Sequence, residues 1–138
     1  METLIIKRDY ALSKKELFEA WTDPKIIEKW FFANENWSCK ASNSLSVGGA
    51  YSVTMKTDEG NEHKHLGVYK EITPYDKLVF TWESPMAPGT VVEILFEETE
   101  NGTQLTLTHD LFVDENAKSM HKNGWEACIS NFERVFCN

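Results

Sequence analysis

The chain has 138 residues, about the size of one domain, and its 41% hydrophobic and 26% charged residues are typical of a folded protein rather than a disordered one. The formal net charge of −8 disfavours binding to nucleic acid or to anionic lipid, and no basic stripe offsets it. No apolar stretch approaches the roughly 20 residues needed to cross a bilayer.

The N-terminal residues and the cysteines indicate a cytoplasmic location. Residues 1–8 lack the basic start, apolar run and small-residue cleavage site of a secretory signal peptide. Cys39, Cys128 and Cys137 are odd in number and have no Cys-x-x-Cys spacing, which fits free thiols in a reducing compartment. We therefore expect residues 1–138 to form a single cytoplasmic domain without membrane insertion.

A strand and two short helices are predicted at the start of the chain. Residues 3–10 alternate or run apolar, which indicates a strand. Ser13 and Glu16 have the spacing of a capping box, so a helix is expected to begin there. Asp23 and Pro24 suit the N-cap and the first position of a second short helix.

Six further strand candidates follow, each bounded by turn-forming residues. They are residues 37–42, 51–55, 63–72, 78–82, 91–97 and 103–109. Asn101-Gly102 is a strong hairpin signal between the last two, and a loop with Pro85, Pro88 and Gly89 precedes them. The short links make neighbouring strands antiparallel.

The last segment, residues 114–136, is predicted to be one long helix. Its apolar residues recur at helical spacing, at Ala117, Met120, Trp125, Cys128, Ile129, Phe132, Val135 and Phe136. Asp114 is a suitable N-cap. Gly124 costs about 1 kcal/mol relative to Ala in mid-helix and usually marks a place where something else comes close.

This order of elements predicts an α+β fold. A curved antiparallel sheet of six or seven strands carries two short helices after its first strand. The long C-terminal helix must bury its apolar stripe, and the concave face of the sheet is the one surface large enough to cover it. The sequence therefore predicts a helix packed across that face.

Five groups of residues, in order along the chain, match a known family. They are Asp23-Pro24-x-x-Ile27-x-x-Trp30-Phe31; Gly48-Gly49-x-Tyr51; Gly67-x-Tyr69-x-Glu71-Ile72-x-Pro74 followed by Leu78-Val79-Phe80-Thr81-Trp82; Gly102-Thr103-x-Leu105-Thr106-Leu107-x-His109; and Gly124-Trp125 with Asn131-Phe132-Glu133. Together they resemble the domain named after the activator of the heat-shock-protein ATPase (AHSA), in the START/SRPBCC superfamily. The resemblance covers nearly the whole chain.

The resemblance implies a helix-grip fold with a cavity between the sheet and the long helix. It implies no single reaction, because superfamily members include lipid and hormone binders, cyclases and hydrolases. Strand alternation and the stripe of the long helix, with Trp30 as a candidate cap at the mouth, then predict which residues line the cavity. They are Trp30, Tyr51, Val53, Met55, His65, Gly67, Tyr69, Phe80, Trp82, Ile94, Phe96, His109, Met120, Gly124, Trp125 and Cys128. The alternative is a filled core that uses the same residues, although Gly67 and Gly124 favour open space.

His65 and His109 are the polar groups of most interest on this inner face. Each could orient a ligand or act as an acid or base near neutral pH. The alternative for each is a hydrogen-bonded core histidine. A metal site is a weaker hypothesis: His63 and His65 lie two apart on one strand face, with Glu62 or His121 nearby, but a firm site needs three or four ligands. We expect no metal and no cofactor.

Three other features have two interpretations each. Glu71 shares the parity of Tyr69 unless a bulge intervenes, so it is either a buried base or an exposed, paired carboxylate. Cys128 lies on the apolar stripe and is either a nucleophile or an inert packing residue, and the packing role is expected. Trp30 and Phe31 either cap the mouth of the cavity or fix the short helices to the sheet.

These observations lead to three functional hypotheses. The first is a binding domain for a small hydrophobic or amphipathic molecule, without catalysis. The second is a chaperone-associated or stress-related protein-interaction module, as the family name suggests. The third is a cyclase- or hydrolase-like enzyme that uses His65, His109 or Glu71. The ligand and the oligomeric state, monomer or homodimer, stay open.

Overall fold

The fold is a curved sheet of seven antiparallel strands with one long helix across its concave face. The computed structural model describes residues 2–84 and 87–137. In chain order the elements are β1 (Glu2–Tyr10), α1 (Lys14–Thr22), α2 (Pro24–Trp30), β2 (Ser38–Asn43), β3 (Ala50–Lys56), β4 (Glu62–Thr73), β5 (Lys77–Trp82), β6 (Thr90–Thr99), β7 (Gly102–Phe112) and α3 (Glu115–Phe136). The predicted α+β helix-grip fold is confirmed, while Pro85 of the predicted loop lies outside the described residues.

The strands are ordered β1-β7-β6-β5-β4-β3-β2 across the sheet, and every neighbouring pair is antiparallel. Sequential strands from β2 to β7 pair with each other because short turns join them. β1 instead pairs with β7, with Leu4 opposite His109. The two short helices between β1 and β2 therefore bridge the opposite edges of the sheet.

The predicted helix caps are present. The Ser13 hydroxyl accepts a hydrogen bond from the Glu16 backbone N–H, and the Glu16 carboxylate accepts one from the Ser13 N–H. Asp23 accepts from the Lys25 N–H at 3.0 Å and thereby caps α2. These bonds satisfy N–H groups that a helix N-terminus otherwise leaves without partners.

A bulge at Lys70 in β4 decides the position of Glu71. Tyr69 pairs with Phe80, but the next registered pair is Glu71 with Val79, so Lys70 is the extra residue. The bulge turns Glu71 away from the inner face that Tyr69 occupies. Glu71 is exposed, and its carboxylate lies 3.4 Å from the Lys77 ammonium. The exposed, paired interpretation is therefore the correct one.

The core is filled most completely at the β1, β7 and β6 side of the sheet. The side chains there that are at most 2% exposed include Val92, Ile94, Phe96, Leu105 and Leu107. Trp125, Ile129 and Phe132 of α3 pack on this layer as predicted from the helical stripe. No helix within residues 2–84 and 87–137 combines the length and apolar character needed to span a membrane.

Candidate functional site

One end of the space between sheet and helix is open. A groove of about 550 Å³ lies between β4, the end of β5, the N-terminal half of α3 and the segment after α2. The residues that line it are Phe31, Ala33, Met55, Glu62, His63, Lys64, His65, Trp82, Ser84, Met120, His121, Gly124, Trp125 and Cys128. Its volume is in the range of small-molecule sites, about 300–1,000 Å³, and its lining is mostly apolar, as in such sites.

Trp82 forms the floor of the groove together with His65 and Trp125. The His65 imidazole is stacked on the Trp82 indole, with 4.5 Å between ring centroids and 19° between planes. Trp125 of α3 lies against the same indole at 5.0 Å. These contacts fix flat side chains from β4, β5 and α3 in one place, which gives the groove a rigid aromatic base.

Two nitrogen atoms in this floor have no hydrogen-bond partner. They are the indole Nε1 of Trp82 and Nδ1 of His65, and no other buried side-chain nitrogen or oxygen in the described part of the chain is unpartnered. An unmet buried polar group costs about 1–3 kcal/mol. Both unpartnered nitrogens belong to the stacked His65 and Trp82 rings, which line the groove.

The His65 imidazole is half-buried and electrically neutral at pH 7. Burial first, and then the nearby His121 and His63, lower its pKa to about 4. His63 lies on the same strand but is exposed and stacks on Trp37, with 5.8 Å between centroids. His65 is therefore the histidine that β4 places inside the groove, while His63 lies at its rim.

His121 faces His65 from α3. Its Nδ1 donates to the Ala117 carbonyl at 3.0 Å, because a carbonyl oxygen only accepts. Nε2 of the neutral ring is then an acceptor, 3.5 Å from the Ser84 hydroxyl. Burial lowers the pKa of His121, against the opposing effect of the Ala117 hydrogen bond. His121 thus lines the groove with its Nε2 lone pair beside the Ser84 hydroxyl.

His109 does not line the groove, contrary to the predicted lining. It is completely buried behind Trp125, whose indole N–H donates to His109 Nδ1 at 3.0 Å. Nε2 therefore carries the proton and donates to the Thr90 hydroxyl at 2.8 Å, and Thr90 in turn donates to the Trp82 carbonyl. Both ring nitrogens are occupied, so the core interpretation of His109 is correct.

Five of the predicted lining residues surround a separate, much smaller void. Its volume is only about 30 Å³, room for about one or two waters. The predicted residues around it are Trp30, Tyr51, Val53, Tyr69 and Phe80, with Trp82 shared with the groove. At this end the aromatic side chains fill the space themselves, so the predicted cavity is limited to the groove.

Trp30 of α2 is bonded to α1 and α3 and does not line the groove. The Trp30 indole N–H donates to the Ala20 carbonyl at 2.9 Å, and the Asn131 side-chain amide of α3 donates to the Trp30 backbone carbonyl at 2.8 Å. Phe31, the next residue, does line the groove. Trp30 therefore holds the short helices in place, whereas Phe31 lies at the groove.

Three further predicted residues lie outside both spaces, for two reasons. Ile94 and Phe96 are buried at the filled end, where Phe96 packs edge-on against Phe18 of α1 at 5.7 Å. Gly67 does not leave open space: a Cβ there would lie 2.0 Å from the Thr81 carbonyl oxygen and 2.5 Å from the Tyr51 ring. Gly67 is needed for the close approach of Tyr51, whose hydroxyl donates to Thr81 O at 2.6 Å.

The two glycines should respond oppositely to alanine. Gly67→Ala is expected to lower the free energy of unfolding by about 1–3 kcal/mol, because neighbouring backbone must move. A Cβ at Gly124 meets no atom within 4 Å, so Gly124→Ala should raise stability by up to about 1 kcal/mol through helix propensity. Urea denaturation of both variants measures this, and a stable Gly67→Ala protein would contradict the role assigned to Gly67.

The residues proposed for catalysis do not converge. His109 is enclosed, Glu71 is on the outer surface, and of these three only His65 lines the groove. The metal candidates Glu62, His63 and His121 line the groove with His65. Within residues 2–84 and 87–137 no three His, Cys, Asp or Glu side chains are arranged to hold a metal ion. Cys128 lines the groove but is buried, and burial raises the pKa of its thiol to about 12. A thiol held neutral in this way is a poor nucleophile.

The sequence did not identify Ala33, Lys64 and Ser84 as lining residues. Ser84 was recognisable in principle, because it shares the parity of Trp82 beyond the end of β5. Lys64 has outward parity on β4 and reaches the groove only because that rim is open. Ala33 lies in the segment after α2, for which periodicity gives no signal.

Several solved structures share this fold. A protein from Nitrosomonas europaea is 24% identical, covers 96% of this chain and 92% of its own, and superposes with a TM-score of 0.80. The AHSA1-like protein from Aeromonas hydrophila is 22% identical over 96% of this chain and 90% of its own, with a TM-score of 0.85. CalU16 from Micromonospora echinospora is 25% identical over 96% of this chain and 74% of its own, with a TM-score of 0.77.

No curated protein matches the chain. The family model described as Activator of Hsp90 ATPase homolog 1-like protein matches residues 11–136. That range runs from the end of β1 to the last turn of α3, so it includes every element that frames the groove. The chain therefore belongs to the Activator of Hsp90 ATPase homolog 1-like family, as its five motifs predicted.

Proposed function

We propose that this protein binds a small amphipathic molecule in the groove. The observation that carries the proposal is the groove itself: about 550 Å³ of space over a floor of Trp82, His65 and Trp125. Binding becomes more favourable by about 25 cal/mol for each Å² of such apolar surface that the ligand removes from water. Among the lining residues, His65, His121 and Ser84 supply polar groups that could orient such a ligand.

A neutral apolar fluorophore, N-phenyl-1-naphthylamine, tests the proposal. Its fluorescence should rise on addition of the protein, because the dye enters an apolar site. Gly124→Leu should weaken this binding about tenfold or more, since Gly124 lines the groove and has open space beside it, which the leucine side chain would occupy.

The matched control is Asn123→Leu, at an exposed neighbouring position of α3 that does not line the groove. It should bind the dye like the unchanged protein. Circular dichroism checks that both variants keep the fold. Equal binding by the Gly124→Leu and Asn123→Leu proteins would place the dye elsewhere and would remove the groove from the proposal.

A second function, action on a chaperone, is favoured by the family description alone. It requires contact with a protein surface rather than entry of a molecule into the groove. The ATPase rate of an Hsp90-type chaperone with and without this protein measures it directly. A rate increase that Gly124→Leu leaves intact would favour this second function over ligand binding.

A further inference from the structure

The polar groups of the groove have a common chemistry. Trp82 Nε1–H is a donor without an acceptor, and His65 Nδ1 has no partner at all. His121 Nε2 carries the lone pair of its ring, because Nδ1 donates to the Ala117 carbonyl, and it lies 3.5 Å from the Ser84 hydroxyl. Both rings line the groove beside the Trp82 indole, so either histidine could take a proton and hold an anion there.

The charge around the groove is small and balanced. Lys64 is the one permanent cation and Glu62 the one carboxylate among the lining residues, and both are exposed at the rim. A ligand ammonium would find only Glu62 as a partner, beside Lys64. A dianion such as a phosphate monoester usually needs more than one permanent cation, and the lining contains no arginine. A singly charged weak acid fits the histidines better than either.

We infer that the ligand of this groove is a weak organic acid: an apolar body on Trp82 and Trp125, with one carboxylate directed to His65 and His121. This inference rests on the proposed function and names the chemical class of its ligand. The charged and titratable groups around the two histidines come from three elements: Glu62, His63 and Lys64 on β4, His109 on β7, and Cys128 on α3.

Binding of such an acid should be coupled to proton uptake. Both imidazoles are neutral at pH 7 because burial lowers the pKa of each. A carboxylate placed beside them favours the protonated imidazole and raises its pKa again. The ligand and a proton therefore enter together, and the acid binds more tightly as the pH falls from 8 toward 6, provided its carboxyl group stays ionised.

A matched pair of probes tests the inference: 1-naphthylacetate and the neutral 1-naphthylacetamide, which have the same ring and differ in charge. Each is titrated against the N-phenyl-1-naphthylamine complex at pH 6. The acid should displace the dye at about tenfold lower concentration than the amide. Calorimetry in two buffers of different ionisation enthalpy should detect net proton uptake for the acid and none for the amide.

Replacement of the histidines separates charge recognition from packing. His65→Phe keeps a flat ring on Trp82 and should remove most of the preference for the acid, with the amide affinity within about twofold of the original. His121→Phe should act in the same direction. A purely structural role would weaken the two probes equally and leave their ratio unchanged.

The outcomes distinguish the inference from the proposed function. If the dye binds in the groove and the acid is preferred with proton uptake, both stand. If the dye binds but the amide competes as well as the acid, the acid inference is overturned while ligand binding is retained. If the dye does not bind, the proposed function fails and the inference fails with it.

Discussion

Trp30→Ala is expected to lower the free energy of unfolding by about 3–5 kcal/mol, the range for removal of a buried aromatic side chain. Trp30 is 0% exposed and contacts rings from both sides, Trp21 at 5.0 Å and Phe132 at 5.3 Å between centroids. Its indole N–H also holds the Ala20 carbonyl. This loss is a large part of the total free energy of unfolding of a typical domain, which is about 5–15 kcal/mol.

Urea denaturation measures this loss, and Trp37→Ala is the matched control. Trp37 is half-buried and stacks on the exposed His63, so its removal should cost about 1 kcal/mol or less. Trp30→Phe keeps a ring but loses the bond to Ala20, and should fall between the two. A Trp30→Ala protein as stable as Trp37→Ala would contradict the role of Trp30 in holding α2 to α1 and α3.

His109→Leu is expected to change how stability depends on pH. Burial, followed by the influence of His121, lowers the pKa of folded His109 to about 3, whereas an unfolded histidine titrates near 6.5. Between these values the unfolded state binds a proton that the folded state does not. His109 therefore makes the unfolding free energy fall by about 1.4 kcal/mol for each pH unit below about 6.5.

The His109→Leu protein lacks this pH dependence, but its free energy of unfolding is already lower at pH 7. At pH 7 it should be less stable by about 1–3 kcal/mol, because the Trp125 N–H loses its acceptor. As the pH falls from 6.5 to 4, the unfolding free energies of the two proteins should converge, because only the unchanged protein is destabilised by protonation of unfolded His109. Unfolding free energies from urea titrations across this range test the prediction.

Asn131→Ala is the control for His109→Leu. It also removes a buried hydrogen bond, from Asn131 to the Trp30 carbonyl, but no titratable group. Its curve should run parallel to that of the unchanged protein. A His109→Leu curve that is parallel as well would mean that His109 does not stay neutral in the folded state. The hydrogen bonds from Trp125 to His109 and from His109 to Thr90 would then be assigned wrongly.

The fold was largely predictable because its signals are local. Period-two alternation, the capping box at Ser13 and the helical stripe of α3 each depend on residues close together in the chain. The position of Glu71 was not predictable, because a single extra residue at Lys70 reverses the parity of everything beyond it. A bulge of this kind leaves no clear mark in the sequence.

The site was predictable only in part, because strand parity says which face a residue occupies but not how the face is filled. His65 and His109 share inward parity, yet one lies in the groove and the other is enclosed by Trp125 and Thr90. The two glycines differ in the same way: Gly124 borders open space, whereas the Tyr51 ring covers Gly67. Both distinctions depend on large side chains that arrive from distant strands.

The central claim is that a molecule binds over Trp82 and Trp125, and the indole N–H signals of the five tryptophans report on it directly. Two-dimensional ¹H–¹⁵N spectra are recorded during titration with N-phenyl-1-naphthylamine, and the signals are assigned by single Trp→Phe variants. We expect the Trp82 and Trp125 signals to shift in a saturable way. The Trp30 signal should stay in place, because Trp30, unlike Trp82 and Trp125, does not line the groove. Dye fluorescence that rises while the Trp82 and Trp125 signals stay unchanged would contradict the claim.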